Sequence, residues 1–260
     1  MVKRILTISF WILTFAGVLV LVLLARQHYR NSPVSDLEIQ ISRGQQVGFL
    51  SEEMISKVIY SLSDSLKGKR IKDIRMAILE SKLQENPWIL DVDVSASLTG
   101  VLQVVVKERK PVLRAYNRKN QSLYLDEDGV LFPISQYYAA RVPIVNGYLS
   151  FPALENKTAT LLDSAYRNTE LRMVYLLNEK LRNDEFLGSL IDQIYINSLG
   201  ELELSPKLGP ATILIGDLNH LDEKLLHLKA FYVQKGLSSE LAEYRLVNLK
   251  FRNQIVCTKR

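Results

Sequence analysis

The stretch Ile5–Ala25 limits what this chain can become more than any other. Its 21 residues include 17 apolar side chains and no charge. As an α-helix it would measure about 31 Å at about 1.5 Å per residue, close to the roughly 30 Å hydrocarbon core of a bilayer. Lys3 and Arg4 precede it, and Arg26, His28, Tyr29 and Arg30 follow at once. A cleaved signal peptide carries a shorter apolar run, about 7–15 residues, that ends in small side chains. Here Leu23 stands where a small residue would precede Ala25. The run therefore reads as an uncleaved anchor, with a tail at 1–4, a transmembrane helix at 5–25 and the rest of the chain on one side. A buried core helix is the competing reading; uniform apolarity at the very terminus speaks against it. Basic residues flank both ends, so charge alone does not choose the side.

A polar linker follows at 26–36, closing on Ser32-Pro-Val-Ser35. Leu37–Ile41 then alternates apolar and polar side chains, the mark of a half-buried strand. Arg43–Gly48, with two glycines and two glutamines, reads as a loop. Ser51 followed by Glu52 and Glu53 opens a helix, since a serine N-cap and early carboxylates both suit its positive end. Met54, Ile55, Val58, Ile59 and Leu62 make its apolar stripe. A second helix is expected from about Lys72 to Glu85, with Ile74, Ala77, Ile78 and Leu83 inward. Asn86-Pro87 stops it, because proline pushes the preceding residue out of the helical region. Trp88 and Ile89 would plug that helix end.

Val92–Ser95 and Leu102–Lys107 alternate as two strands joined through Thr99-Gly100. Residues 37–108 thus read as a β-α-α-β-β unit, two helices on a three-stranded sheet. Its exposed edges are expected near Leu37–Ile41 and Leu102–Glu108.

Glu108-Arg-Lys-Pro-Val112 leads into a second body at 109–260. Pro111 suits a strand start. Strands are expected at 112–116, 122–125, 130–132, 142–147, 191–196, 200–204 and 211–215. Asp126-Glu-Asp-Gly129 reads as an acidic turn. A calcium loop placing these carboxylates as ligands would need an acidic first position and a glutamate twelfth; Tyr124 and Ser135 stand there. A long helix is expected from Thr160 to Arg182, using Leu162 and Tyr166 inward, and another from Asp222 to Gln234, ended by Gly236. The chain closes with strands at Tyr244–Phe251 and Ile255–Thr258. The fold class is α+β throughout the part beyond the anchor.

The chemistry-bearing residues do not assemble into a catalytic pattern. The chain lacks G-x-S-x-G, H-E-x-x-H, a P-loop and G-x-G-x-x-G. His220 and His227 lie two helical turns apart with no persuasive set of cysteines or carboxylates at ligand spacing, so they read as exposed or cap histidines rather than a metal site. Cys257 reads as a small apolar side chain, and it has no second cysteine to pair with. Lys67-Gly-Lys-Arg70 reads as a solvated turn. The net charge of +5 is spread among mixed signs, unlike a nucleic-acid footprint. No cofactor, metal or small-molecule substrate is expected.

The order of these elements, with its local motifs, resembles the bacterial cell-division family FtsQ/DivIB. Asn86-Pro-Trp-Ile89, with Pro87 and Trp88, is similar to that family's Pro-Trp-Val element. Glu108, Arg109 and Pro111 resemble its Glu-Arg-x-Pro-Val signature. Asp126, Gly129 and Phe132 resemble its Asp-x-x-Gly-x-x-Phe turn, and Pro143 to Gly147 its Pro-x-x-x-Gly segment. Two places depart. The hairpin turn that usually carries Trp-Pro is Leu98-Thr-Gly100, and the late Asp-Leu-Arg-Tyr element is Asn248-Leu-Lys-Phe251.

The resemblance implies a POTRA-like unit followed by a β domain. It implies a single-pass protein of the cell inner membrane, with its N-terminus in the cytoplasm, its bulk in the periplasm and its place at the division septum. It implies a non-enzymatic scaffold of the divisome that binds an FtsB/FtsL-like pair and, through it, acts on FtsW and FtsI in septal peptidoglycan synthesis. The implied contact is the terminal strand: Lys250, Phe251 and Asn253, with Ile255 and Val256 beside them. A POTRA-bearing periplasmic chaperone or export factor is the alternative; such proteins usually repeat the unit or continue into a barrel.

Overall fold

The computed structural model describes residues 2–43, 48–62, 66–235 and 239–260, so most of the expected 43–48 loop and the Gly236 helix stop lie outside the described residues. The opening helix α1 (Val2–Asn31) is longer than the apolar run. It carries on through residues expected to begin the linker. Its 10–31 portion is long and apolar enough to cross a membrane, with a mean hydropathy of 2.0, and its residues 10–28 are all exposed, with Tyr29 the first to be half-buried. Thr14 does not interrupt it, because its hydroxyl donates to the Phe10 and Trp11 carbonyls at 3.1 and 2.9 Å and leaves no unsatisfied polar group in hydrocarbon.

The chain divides into two compact units. The first holds α1, the residues on to Arg43 and Leu50–Glu108; the second holds Phe49 and Arg109–Arg260. Phe49 thus belongs to the second unit, although it lies within the 37–108 stretch.

In the first unit come β1 (Asp36–Ser42), α2 (Glu52–Leu62), a 3-10 turn at Ile71–Asp73, α3 (Met76–Gln84), β2 (Ile89–Ala96) and β3 (Val101–Glu108). The sheet order is β1-β3-β2, with β1 parallel and β2 antiparallel to β3. The strand at 102–108 is therefore central, not an edge as expected; the edges are β1 and β2. Leu102, Val104 and Val106 are wholly buried beneath the helices. Ser51 caps α2 by accepting the Met54 amide at 3.2 Å, and Ile55 and Ile59 form its buried stripe. The second helix differs in start and phase. Ile74 sits in extended backbone after the 3-10 turn, so α3 begins only at Met76. The helix then buries Leu79 and Leu83, one turn apart, and leaves Ala77 and Ile78 exposed.

The second unit carries β4 (Pro111–Tyr116), β5 (Ser122–Asp126), β6 (Val130–Pro133), β7 (Ile144–Gly147), β8 (Ala159–Thr160), α4 (Leu171–Arg182), α5 (Glu185–Leu190), β9 (Ile191–Ile196), β10 (Leu202–Pro206), β11 (Thr212–Gly216), α6 (Leu221–Lys235), a 3-10 turn at Ser239–Glu243, β12 (Tyr244–Asn248) and β13 (Val256–Lys259). All ten strands join one sheet in the order β13-β12-β11-β10-β9-β7-β4-β5-β6-β8. Alternate residues such as Leu113, Ile194, Leu204, Ile213 and Val247 face a single apolar core, shared with Val174 and Leu177 of α4 and Leu228 of α6. Gly147 is required where β7 lies against β9: its φ is +102° and a Cβ there would stand 2.2 Å from the Ile196 carbonyl oxygen.

The long helix expected from Thr160 begins at Leu171. Residues before it turn instead. Asp163 accepts the Thr160 amide and hydroxyl at 2.8 and 3.0 Å, and Thr169 donates back to the Tyr166 carbonyl at 2.6 Å. Such side-chain bonds compete with the helical ladder. Leu162 is exposed, while Tyr166 is buried from a turn rather than a helix.

Candidate functional site

The site is the β13 end of the large sheet. β11 and β12 run parallel, which demands a crossover connection; α6 and the 3-10 turn supply it. β13 then returns antiparallel, pairing Asn248 with Val256, Val247 with Cys257 and Leu246 with Thr258. One side of β13 is paired with β12, and no described strand lies on its other side. An unpaired strand side presents amides and carbonyls ready for another chain.

Only Val256 of the five expected contact residues lies on β13. Lys250 and Phe251 are expected on one late strand and Ile255 on the next, with Asn253 between them; the structure places all four in the connection between β12 and β13. The preceding Leu249 explains this. Its amide bonds the Leu214 carbonyl at 2.9 Å and its side chain is buried, so the chain is pinned to β11 and must then reverse. Asn253 makes the reversal with φ +61°, a region asparagine tolerates better than most residues.

The five residues divide by role. Lys250 is held: its ammonium pairs with Glu201, its amide bonds Asn248 Oδ1 at 3.0 Å, and its stem runs over Gly216. Ile255 packs against the core. Phe251 and Val256 are 48% and 40% exposed, and Asn253 is exposed. The apolar surface open to a partner is thus Phe251 in the turn and Val256 on the edge. Hydrogen bonding to Lys250 holds the Glu201 carboxyl below its ordinary value.

A groove of about 170 Å³ runs beside the turn, between Phe251 and the start of α6. His220 and His227 both line it, with Glu223 between them. Lys224 also lines it, donating to the Asp217 carbonyl and Oδ1 at 2.8 and 2.9 Å, and this bond pulls the Asp217 carboxyl down. Among the described residues no group of three or more His, Cys, Asp and Glu gathers at metal-binding range. Cys257 faces the core, and burial pushes its thiol up. The neighbouring Tyr232 hydroxyl is pushed to about 12, first by burial and then by Cys257.

The motif residues lie elsewhere. Glu108 accepts the Leu50 amide at 3.2 Å within the first unit. Arg109, the next residue, pairs with Asp126 inside the second. Asp126 Oδ1 also takes the amides of Asp128 and Val130 at 3.0 and 2.8 Å. Gly129 completes the turn with φ +74°. Phe132 stacks on Tyr124, and Phe49 meets both edge-on. Pro111 is the first residue of β4, paired with Asp126. Asn86 accepts the Trp88 amide at 3.0 Å, and Trp88, following Pro87, packs on the first unit's core.

An apolar anchor helix, a small β-α-α-β-β unit and a ten-stranded sheet with helices define a membrane-anchored α+β protein. A family model described as FtsQ/DivIB, C-terminal related, matches residues 110–258, and one described as POTRA-like domain matches residues 33–107. The chain belongs to the FtsQ/DivIB family. It is similar to the cell division protein FtsQ of Rhodothermus marinus, 27% identical over 193 residues that span 73% of this chain and 67% of the relative. It is also similar to the FtsQ of Rickettsia bellii, 28% identical over 180 residues, 64% of this chain and 63% of that one. The matches thus span about two thirds of each relative's length.

Proposed function

We propose that this chain is a non-enzymatic scaffold of the bacterial divisome. It crosses the inner membrane once, with its N-terminus in the cytoplasm and both units outside, and it concentrates at the septum. An FtsB/FtsL-like pair docks on the second unit, adding a strand to β13, and the assembly tunes septal peptidoglycan synthesis by FtsW and FtsI. One observation carries the contact: β13 ends the sheet, with Val256 exposed along it and Phe251 presented in the adjoining turn. In strand addition the backbone supplies affinity and the side chains supply register.

The test is co-purification of the full-length chain with an FtsB-like partner. Phe251→Glu places a charge on the apolar rim and is expected to abolish recovery while the thermal transition stays in place. Unchanged recovery with a folded variant would exclude this edge. Depletion of the chain is expected to give filamentous cells; ordinary septation in its absence would remove the scaffold role.

A further inference from the structure

The end of the first unit nearest α1 is clamped from two sides. Residues 32–35 leave the helix and bond to the segment before α3: the Val34 amide to the Lys69 carbonyl at 2.7 Å and the Ile71 amide to the Ser32 carbonyl at 3.0 Å. On the other side the Ser35 amide bonds the Gly100 carbonyl at 2.9 Å, and the Tyr29 hydroxyl donates to the Ala96 carbonyl at 2.6 Å. The 3-10 turn and the β2–β3 turn are therefore fixed against the last residues of α1. Those residues lie only about 9 Å beyond the apolar run at about 1.5 Å per residue. The polar layer of a bilayer adds about 5–8 Å on each side of the hydrocarbon core, so Tyr29, about 6 Å beyond the run, stands within it and both turns stand at its outer boundary.

Their side chains suit that level. Leu98, in the β2–β3 turn, is 88% exposed, more than any other large apolar side chain described. Arg26 and Arg30 lie one turn apart at the end of α1, and Arg70 and Lys72 stand at the 3-10 turn; all four are exposed. Among the described residues, the carboxylates that neighbour these cations in sequence are Asp36 and Asp73, so positive charge prevails there.

We propose that this end is a lipid-contact surface: Leu98 enters the interfacial layer, and Arg26, Arg30, Arg70 and Lys72 hold the phosphates of anionic phospholipids in the leaflet where α1 emerges. Arginine suits phosphate through its paired donors, and an apolar side chain beside basic ones is the composition of interfacial anchors. The contact fixes the first unit against the membrane, independently of any partner at β13.

The full-length Cys257→Ser chain, reconstituted in bilayer discs, tests this. An environment-sensitive dye is attached at Leu98→Cys or, at the far end of the same strand pair, at Asp91→Cys. Quenching by lipids spin-labelled near the headgroup is compared in phosphatidylcholine discs and in discs enriched in phosphatidylglycerol. The Leu98 site is expected to be quenched at least about two-fold more than the Asp91 site, and more strongly with the anionic lipid. Removing two surface cations shifts such an equilibrium by roughly 30-fold at about 1 kcal/mol each, so Arg70→Glu with Lys72→Glu is expected to erase the anionic gain. Equal quenching at the two sites overturns the proposal. So does quenching that ignores lipid charge, or that survives the double reversal in a chain whose melting is unchanged.

Discussion

Arg109 and Asp126 form an ion pair closed off from solvent, with the two residues 8% and 2% exposed. The guanidinium lies 5.8 Å from the centre of the Phe132 ring. The other carboxylate oxygen is taken by the turn amides of Asp128 and Val130. The neighbouring Glu108 serves the first unit, so two adjacent charges in the Glu-Arg-Lys-Pro exit each complete a different core.

Removing one partner of a buried pair leaves the other charge uncompensated, which costs about 3–5 kcal/mol. Arg109→Ala is expected to destabilise the second unit by that amount in chemical denaturation. Asp126→Asn keeps an oxygen for the two turn amides and is expected to cost less than Asp126→Ala. A loss under about 1 kcal/mol for Arg109→Ala would mean that the pair contributes little.

Gly147→Ala is expected to be as harmful, though it removes no interaction. The new Cβ meets the Ile196 carbonyl oxygen at 2.2 Å, and φ is +102°. Neither backbone is free to move, because β7 is paired on both sides. A cost of roughly 3 kcal/mol is expected from strain and overpacking together. A variant that melts with the parent would show that β7 can shift.

The Pro-x-x-x-Gly segment that ends at Gly147 was legible in the sequence, as were the β2–β3 hairpin and the turn at Asp126–Gly129. Each rests on local chemistry: alternation, a stop at proline, a residue suited to positive φ. What escaped depends on tertiary choices. Alternation shows that residues 102–106 form a strand but not that β1 pairs beside it, which makes that strand central. Leu79 was missed because the break at Ile74 resets the helical phase. Residues 160–170 carry enough apolar side chains for a helix, yet Asp163 and Thr169 divert the backbone into turns. Phe251 sits in a turn because Leu249 is tied to β11, a long-range bond no local pattern carries.

The Glu201–Lys250 pair gives the site a pH dependence. Glu201 has its pKa lowered in the folded chain, so the folded state binds fewer protons than the unfolded one as the pH drops. The stabilisation is complete above the unfolded glutamate value, about 4.3, and is lost as pH falls through the lowered folded value. Acid titration followed by NMR is expected to show the Lys250–Asn253 turn loosening below about pH 4. Glu201→Gln removes the titrating group and should flatten that response. A turn that loosens identically in the variant would assign the effect to other carboxylates.

The last prediction separates binding from folding within the five residues of the β13 end. Phe251 and Val256 leave 48% and 40% of their surface to solvent, so truncating them is expected to cost the free chain less than truncating a core residue. In a partner complex that surface would be covered, and anchors of this kind carry about 2 kcal/mol or more each. Phe251→Ala and Val256→Glu are therefore expected to weaken an FtsB-like partner by about 10–100-fold, with thermal midpoints close to the parent's. Ile255 packs on the core, so Ile255→Ala is expected to cost about 2 kcal/mol of stability. Its binding loss should be recovered by cooling to where it is fully folded. Isothermal titration beside differential scanning calorimetry reads both quantities. If Phe251→Ala instead lowers the midpoint and leaves affinity intact, Phe251 holds the turn together and the partner lies elsewhere on the sheet.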